Sequence, residues 1–116
     1  MKEEEKIEEK ELKEGTKFDF GKARYDLLAA DSLEELVKVL TFGSQKYNSR
    51  NWEQGIKFGR VFAAAMRHMW AIWRGEEIDP ETGIMHSAHA ECNMHFLTHF
   101  LKNKDKYKDF DDRPKD

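Results

Sequence analysis

The stretch that decides the fold is RHMWAIWRGEEIDPETGIMHSAHAECN, residues 67–93, in which an acidic turn joins two apolar helical segments. Gly75 stands where glycine favours a helix end, and Asp79-Pro80 is typical of a turn or a helix start. The facing surfaces carry imidazole, guanidinium and carboxylate groups where core side chains would be expected. Because ionisable groups are costly to bury without partners, this clustering beside apolar helices indicates a functional site.

The spacing of apolar residues in this stretch and in the rest of the chain predicts three main helices. One covers residues 60–74 and another covers residues 84–102. A third is predicted over residues 32–47, where Ser32 and Glu35 form a capping-box pattern. The predicted core stripes are Leu33, Leu36, Val37, Leu40 and Ser44 of the first helix and Met85, Ala88, Cys92, Phe96, Phe100 and Leu101 of the last. The prediction is an all-α fold, a small helical bundle of about three main helices with an extended N-terminal arm and long loops.

Charge is concentrated at both ends of the 116-residue chain. Residues 1–15 are almost all Glu and Lys, and residues 102–116 alternate charges, so neither segment is expected to bury enough apolar surface to pack. The predicted organisation is a disordered or frayed segment at 1–15, a single α-helical nucleotide-handling domain at 16–101, and a charged tail at 102–116. The aromatic residues offer more apolar surface than so small a core covers, which predicts a homo-oligomer.

Composition excludes several classes of function. A net charge of -3 argues against binding to a nucleic-acid polymer, which needs a basic field. Cys92 is the only cysteine, so an intrachain disulfide is excluded. The sequence shows no signal peptide and no long apolar run, which predicts a cytoplasmic protein with no membrane partner.

Metal-binding and catalytic chemistry is predicted on the last helix and the turn before it. His86, His89 and Asn93 recur at spacings that place them on one helical face. Histidines at this spacing can ligate a divalent metal or bind phosphate oxygens, and the alternative is a helix interface with satisfied histidines. The pair Glu76-x-x-Asp79 can bridge a hard cation such as Mg²⁺, and the alternative is a solvated acidic turn.

Cations stand next to aromatic residues in two places, Lys22-x-Arg24-Tyr25 and Lys46-Tyr47-x-x-Arg50-Asn51-Trp52. Lysine and arginine suit phosphate oxygens, and a tyrosine or tryptophan ring offers a face on which a base can stack. The alternative is an amphipathic loop with cation–π packing. Because the pattern occurs twice, and Arg67 and Arg74 add further positive charge, a nucleotide or another small anionic ligand is predicted.

The assembled phrases resemble a known family. They are KFDFGKARYDLL (17–28), LEELVKVLTFGSQKY (33–47), RNWEQG (50–55), RHMWAIWRGEEIDPETG (67–83) and HSAHAECN (86–93). In this order they resemble the small bacteriophage proteins described as dATP/dGTP diphosphohydrolase domains, over about residues 17–101. The resemblance implies an α-helical fold and nucleotide chemistry. It also invites comparison with the MazG-like all-α pyrophosphohydrolases, which cleave between the α- and β-phosphates of an NTP with Mg²⁺ held by E-x-x-E and E-x-x-D.

This resemblance implies a metal-dependent nucleotide pyrophosphohydrolase that acts on purine deoxynucleoside triphosphates with Mg²⁺ or Mn²⁺. Glu35 stands at the place of the first glutamate, but Lys38 stands at that of the second. The predicted catalytic residues are Glu35, Asp79 and His89, and the predicted metal ligands are Glu35, Glu76, Asp79, His86 and His89. The predicted ligand-binding residues are Lys22, Arg24, Tyr25, Lys46, Tyr47, Arg50, Asn51, Trp52, Arg67, His68, Arg74 and Asn93. Two alternatives stay open, a non-catalytic protein that captures a signalling nucleotide of host defence and a structural protein whose histidines lie in an interface.

Overall fold

Three long helices form the body of the protein in the computed structural model, which describes residues 13–115. They are α1 (Ala30–Lys46), α2 (Phe58–Trp73) and α3 (His86–Lys102), and a short α4 (Lys104–Tyr107) follows. Turns of 3-10 helix lie at Tyr25–Leu27, Asn51–Gln54 and Lys108–Phe110. The described residues contain no β-strand and only one isolated bridge, between Ile78 and Met85. The predicted all-α fold is confirmed.

Helix α1 begins earlier than predicted, and the prediction of a capping box at Ser32 and Glu35 is wrong. Its N-cap is Ala29, whose side chain caps nothing, so Ser32 lies inside the first turn. The backbone N–H of Ser32 donates instead to the Asp31 carboxylate. Glu35 is therefore free of any capping role, and its carboxylate pairs with Lys38 on the next turn. Of the predicted stripe, Leu36 is buried, whereas Leu33 and Val37 are exposed.

The core lies where α2, α3 and α4 meet. Phe58 and Val61 from α2, Phe100 from α3 and Tyr107 from α4 form its centre. The rings of Phe58 and Phe100 are parallel with centroids 5.8 Å apart. The helices α2 and α3 make the most extensive contact of any pair, and α1 packs mainly on α3. Of the predicted stripe of α3, Ala88, Cys92 and Phe100 are buried, Phe96 and Leu101 are partly buried, and Met85 is exposed.

The charged C-terminal segment packs, contrary to the prediction for residues 102–116. Tyr107 is only 1% exposed, and its hydroxyl donates a 2.6 Å hydrogen bond to the carbonyl oxygen of Glu53. Phe110 packs against the same core. The reason is that two aromatic side chains suffice to anchor a short segment even when their neighbours are charged and point into water.

The opposite end shows no such anchoring where it is described. The predicted N-terminal segment lies mostly outside the described residues, and residues 13–34 are all exposed. Residues 13–29 form an irregular chain with one 3-10 turn, in the region predicted as an arm, and residues 30–34 begin α1. None of the helices in the described part of the chain is long and apolar enough to cross a membrane.

Candidate functional site

A wide cleft of about 1380 Å³ opens along one side of the bundle. Its walls come from the second half of α1, the loop that follows α1, and the facing sides of α2 and α3. Pockets for a single small ligand are commonly about 300–1,000 Å³, so this cleft has room for a nucleotide and its phosphates. It also receives the acidic turn between α2 and α3.

That turn folds back on itself and brings the start of α3 beside the end of α2. Gly75 ends α2 with φ of 97°, a left-handed conformation that glycine adopts without strain. The N–H of Asp79 donates to the carbonyl of Ile84 at 2.9 Å, and the N–H of His86 donates to the carbonyl of Glu77 at 2.9 Å. These bonds fix where the acidic side chains of the turn stand relative to the histidines of both helices.

Three side chains from three segments converge at this point. His68 from α2, Asp79 from the turn and His89 from α3 each offer one nitrogen or oxygen atom, and these atoms lie within 4.8 Å of one another. The rings of His68 and His89 are stacked with centroids 4.6 Å apart. Asp79 and His89 are each 9% exposed. We call His68, Asp79 and His89 the histidine–aspartate cluster.

Burial keeps the imidazoles of this cluster uncharged near neutral pH. The pKa of His68 is lowered, first by burial and then by the neighbouring His89 and His86 rings. The pKa of His89 is lowered chiefly by burial, against an opposing effect of the Asp79 carboxylate. Because a metal ligand must be a neutral imidazole, both rings are in the form that can bind a cation.

Hydrogen bonds surround the cluster on two sides. His86 is 6% exposed; its Nε2 lies 2.7 Å from Glu76 Oε1 and its Nδ1 lies 2.9 Å from His68 Nδ1. On the other side, Thr82 Oγ1 lies 2.7 Å from His89 Nε2. Thr82 was not predicted as a site residue, because nothing in its local sequence distinguishes a turn threonine that contacts a histidine seven residues later.

Positive side chains face the cleft beside this cluster. Arg60, Arg67 and Arg74 recur every seven residues of the sequence and all line the cleft, as do Lys46 and Arg50 from the end of α1 and the loop that follows it. Arg50 pairs with Glu53, whereas Arg67 and Arg74 form no ion pair with any carboxylate among residues 13–115. Free guanidinium groups are well suited to bidentate contact with phosphate oxygens.

The combination of a nucleotide-sized cleft, free arginines and a histidine–aspartate cluster agrees with comparisons to known proteins. The family model described as dATP/dGTP diphosphohydrolase, N-terminal, matches residues 12–113. The chain belongs to this family. A relative named dATP/dGTP diphosphohydrolase, from Salmonella phage PMBT28, is 40% identical over 90 residues, which are 78% of this chain and 31% of the relative. The chain thus spans about a third of that relative, and no solved structure matches it.

Among the residues predicted from the sequence, those of the turn and of α3 come together in this diphosphohydrolase-family chain. His68, Asp79 and His89 form the cluster, Glu76 and His86 adjoin it, and Asn93 lines the cleft one turn away. The side-chain amide of Asn93 donates to the carbonyl of His89 at 2.9 Å. The predicted grouping of His86 and His89 with Asp79 is thus present, and His68 belongs to its centre.

The loop after α1 also reaches the cleft, where Lys46, Tyr47, Arg50, Asn51 and Trp52 lie in its wall. Lys46 Nζ stands 5.3 Å from the centroid of its neighbour's ring, Tyr47. Trp52 stacks on Phe96 at 4.5 Å and contacts the edges of two histidine rings, His95 and His99. Arg50 has φ of 59°, which is uncommon for a residue with a side chain and typical of functional loops.

Other predicted residues are not brought to the cleft. Lys22, Arg24 and Tyr25 lie in the exposed arm, where Arg24 pairs with Asp26. Glu35 pairs with Lys38 outside the cleft lining, so the structure does not bring it together with Asp79 or His89.

Cys92 lines the cleft but is only 3% exposed, and burial raises the pKa of its thiol to about 12. A thiol with such a pKa is not a nucleophile near neutral pH.

Proposed function

We propose that this chain is the nucleotide-hydrolysing part of a dATP/dGTP diphosphohydrolase, which cleaves a purine deoxynucleoside triphosphate between its α- and β-phosphates. The name of the relative and the family description support the substrate class and the reaction. The observation that carries the proposal is the histidine–aspartate cluster in one cleft with Arg67 and Arg74, which pair with no carboxylate among residues 13–115. A phosphate-binding surface and a group of cation ligands are the two parts that such a reaction needs.

Each part of the cleft has a role in this proposal. His68, Asp79 and His89 would hold a divalent cation, Mg²⁺ or Mn²⁺, which would supply charge neutralisation and the activation of a water molecule. Arg67 and Arg74 bind phosphate oxygens, because their guanidinium groups have no described acidic partner. Asp79 is held in place by the N–H of Glu81, which donates to its Oδ1 at 2.9 Å, so its second oxygen is directed at the cluster.

Incubation with dATP and dGTP in Mg²⁺ or Mn²⁺ tests the proposal. The wild-type protein is expected to release a deoxynucleoside monophosphate and pyrophosphate, which mass spectrometry and a phosphate assay identify. Asp79→Asn keeps the acceptor for the Glu81 N–H but loses the charge, so the rate should fall by about 100-fold or more. Asp105→Asn, at an exposed position of α4, is the matched control. Full activity of Asp79→Asn would contradict the assignment.

A second function is favoured by one observation. Asp79 is the single carboxylate of the cluster, because Glu76 contacts His86 and Glu35 lies elsewhere. A cluster with one carboxylate, in a cleft that several cationic side chains also line, suits a protein that captures a nucleotide, such as a signalling nucleotide of host defence, without cleaving it. Such a protein would retain its ligand in EDTA and release it intact on heating. Recovery of cleaved product would exclude this alternative.

We also propose that a second copy of this chain covers the exposed side of α2. Phe62, Met69, Trp70 and Trp73 lie within one arc of this helix and are all at least half exposed, Trp73 at 82%. A contiguous apolar surface of this kind is typical of an interface. Light scattering after size-exclusion chromatography should report a homo-oligomer, and Trp73→Arg should yield monomers. A monomeric wild-type protein would contradict the proposal.

The proposed location is the host cytoplasm, because the proposed substrates are nucleotides.

A further inference from the structure

A line of three hydrogen-bonded side chains, Glu76, His86 and His68, ends at the histidine–aspartate cluster. We propose that this line fixes the tautomer of His68, so that its Nε2 is a metal ligand, and that the cluster prefers a borderline transition ion such as Mn²⁺, Co²⁺ or Zn²⁺ over Mg²⁺. This inference rests on the proposed function, because it names the ion class of the same site and the residues that position its ligand.

The first step concerns the protons of His86. Its Nε2 lies 2.7 Å from Glu76 Oε1, and an ionised carboxylate only accepts hydrogen bonds. In the proposal His86 carries a single proton, which lies on Nε2 and is donated to Glu76. The Nδ1 of His86 then carries a lone pair and acts as an acceptor.

The proton position on His86 determines the proton position on His68. The two Nδ1 atoms of His68 and His86 lie 2.9 Å apart, and one of them must donate. Because His86 Nδ1 is the acceptor, His68 Nδ1 holds the proton and donates it. His68 then has its remaining lone pair on Nε2, and we assign this nitrogen as the ligand atom that His68 offers to the cluster.

The third step concerns His89, whose Nε2 meets Thr82. The hydroxyl oxygen of Thr82 already accepts the N–H of Ile84, so its own hydrogen is available for donation to His89 Nε2 at 2.7 Å. The separation of His89 Nε2 from Asp79 Oδ2 is 3.7 Å, which is too long for a hydrogen bond. In this assignment His89 Nε2 carries no proton, and its lone pair, which accepts the Thr82 hydrogen bond in the metal-free protein, is the one that a bound cation would take.

The cluster thus offers two imidazole nitrogens that carry no proton and one carboxylate oxygen, all within 4.8 Å of one another. Such a group of acceptors is unfavourable by itself and becomes favourable around a cation. Two nitrogen ligands and one oxygen ligand suit first-row transition ions and Zn²⁺, whereas Mg²⁺ prefers oxygen ligands alone. Carboxylate and histidine partners that orient a ligating imidazole commonly change metal affinity by about 10–100-fold when removed.

Metal binding without any nucleotide tests the inference. The chelated and dialysed protein is titrated with MnCl₂, and free Mn²⁺ is followed by electron paramagnetic resonance, with MgCl₂ as competitor. The wild type should bind one Mn²⁺ per chain, and Mg²⁺ should compete only at concentrations more than about 10-fold higher.

Glu76→Ala should weaken Mn²⁺ binding by about 10–100-fold. Glu76→Gln, which keeps an acceptor oxygen, should restore most of it, and the exposed neighbour variant Glu77→Ala should bind like the wild type. Equal affinity for both ions, or a Glu76→Ala variant that binds like Glu77→Ala, would overturn the inference.

Histidine ¹⁵N spectra of the metal-free protein measure the tautomer directly. His68 should carry its proton on Nδ1 in the wild type and become a mixture of tautomers in Glu76→Ala, while thermal unfolding checks that the variant is folded. A proton on Nε2 of His68 in the wild type would overturn the inference. Mn²⁺ binding with the expected tautomer but without dATP or dGTP cleavage would support the inference and contradict the proposed function. Cleavage of dATP or dGTP that requires Mg²⁺ and is not supported by Mn²⁺ would support the proposed function and contradict the inference.

Discussion

The protein carries the same pattern of cations and aromatic residues twice, in two regions with opposite structural settings. The N-terminal copy, Lys22-x-Arg24-Tyr25, lies in an exposed arm, with its arginine paired to Asp26. The second copy, from Lys46 to Trp52, lies in the wall of the cleft that also holds the histidine–aspartate cluster. The comparison teaches that a pattern of residue types defines the available chemistry, whereas the packing of the segment decides whether that chemistry reaches a site.

The second copy is held in place by the C-terminal segment, and the first copy has no equivalent support among residues 13–115. The hydroxyl of Tyr107 donates a hydrogen bond to the carbonyl oxygen of Glu53, and the ring of Phe110 packs against Gly55. Trp52 in between stacks on Phe96. Three aromatic side chains thus anchor the loop to the core, so its cations project from a fixed backbone. Changes in this loop region should therefore have larger effects than matched changes in the arm.

Removal of the anchor should have the largest effect. Tyr107→Ala deletes a ring that is 1% exposed together with its hydrogen bond, and should lower the free energy of unfolding by about 3–5 kcal/mol. Tyr25→Ala removes a ring that is 80% exposed and should leave that free energy nearly unchanged. Urea denaturation of both variants measures the difference. Equal losses would mean that the arm is packed as firmly as the loop.

A methyl group at Gly55 should have an intermediate effect. Gly55 has φ of 114°, and a Cβ there would lie 2.5 Å from the Phe110 ring, so Gly55→Ala should cost about 1–3 kcal/mol of stability from the clash. Gly21 in the arm also has a positive φ, 80°, but nothing lies within 4 Å of its would-be Cβ. Gly21→Ala therefore reports the backbone strain alone, and thermal unfolding compares the two. A smaller loss for Gly55→Ala than for Gly21→Ala would contradict the anchoring.

Loss of a single cation should have the smallest effect, on ligand binding rather than on folding. Lys46→Ala should raise the dissociation constant for dATP or dGTP by roughly 10-fold, the low end for a charge-assisted hydrogen bond to an exposed phosphate. Lys22→Ala should change it by less than about 2-fold, because Lys22 lies outside the cleft. Calorimetric titration with a non-hydrolysable analogue measures both. Equal effects would show that the arm contributes to the site after all.

The helices could be predicted from the sequence, because apolar periodicity and Gly75 are local signals. The packing of the C-terminal segment could not, since Tyr107 and Phe110 contact residues about fifty positions earlier and stand among charges. In the site, the spacing of His86 and His89 predicted a shared face. The hydrogen bonds of Thr82 and Glu76 depend on how the turn between α2 and α3 folds back, which no local pattern expresses.

The most direct test of the account is a crystal structure of the protein soaked with Mn²⁺ and a non-hydrolysable dGTP analogue, measured with anomalous scattering. The account predicts one anomalous peak between His68, Asp79 and His89, with the triphosphate extending from that peak towards Arg67 and Arg74. A peak elsewhere, or a triphosphate bound to the arm residues Lys22 and Arg24 with the cleft left open, would contradict it.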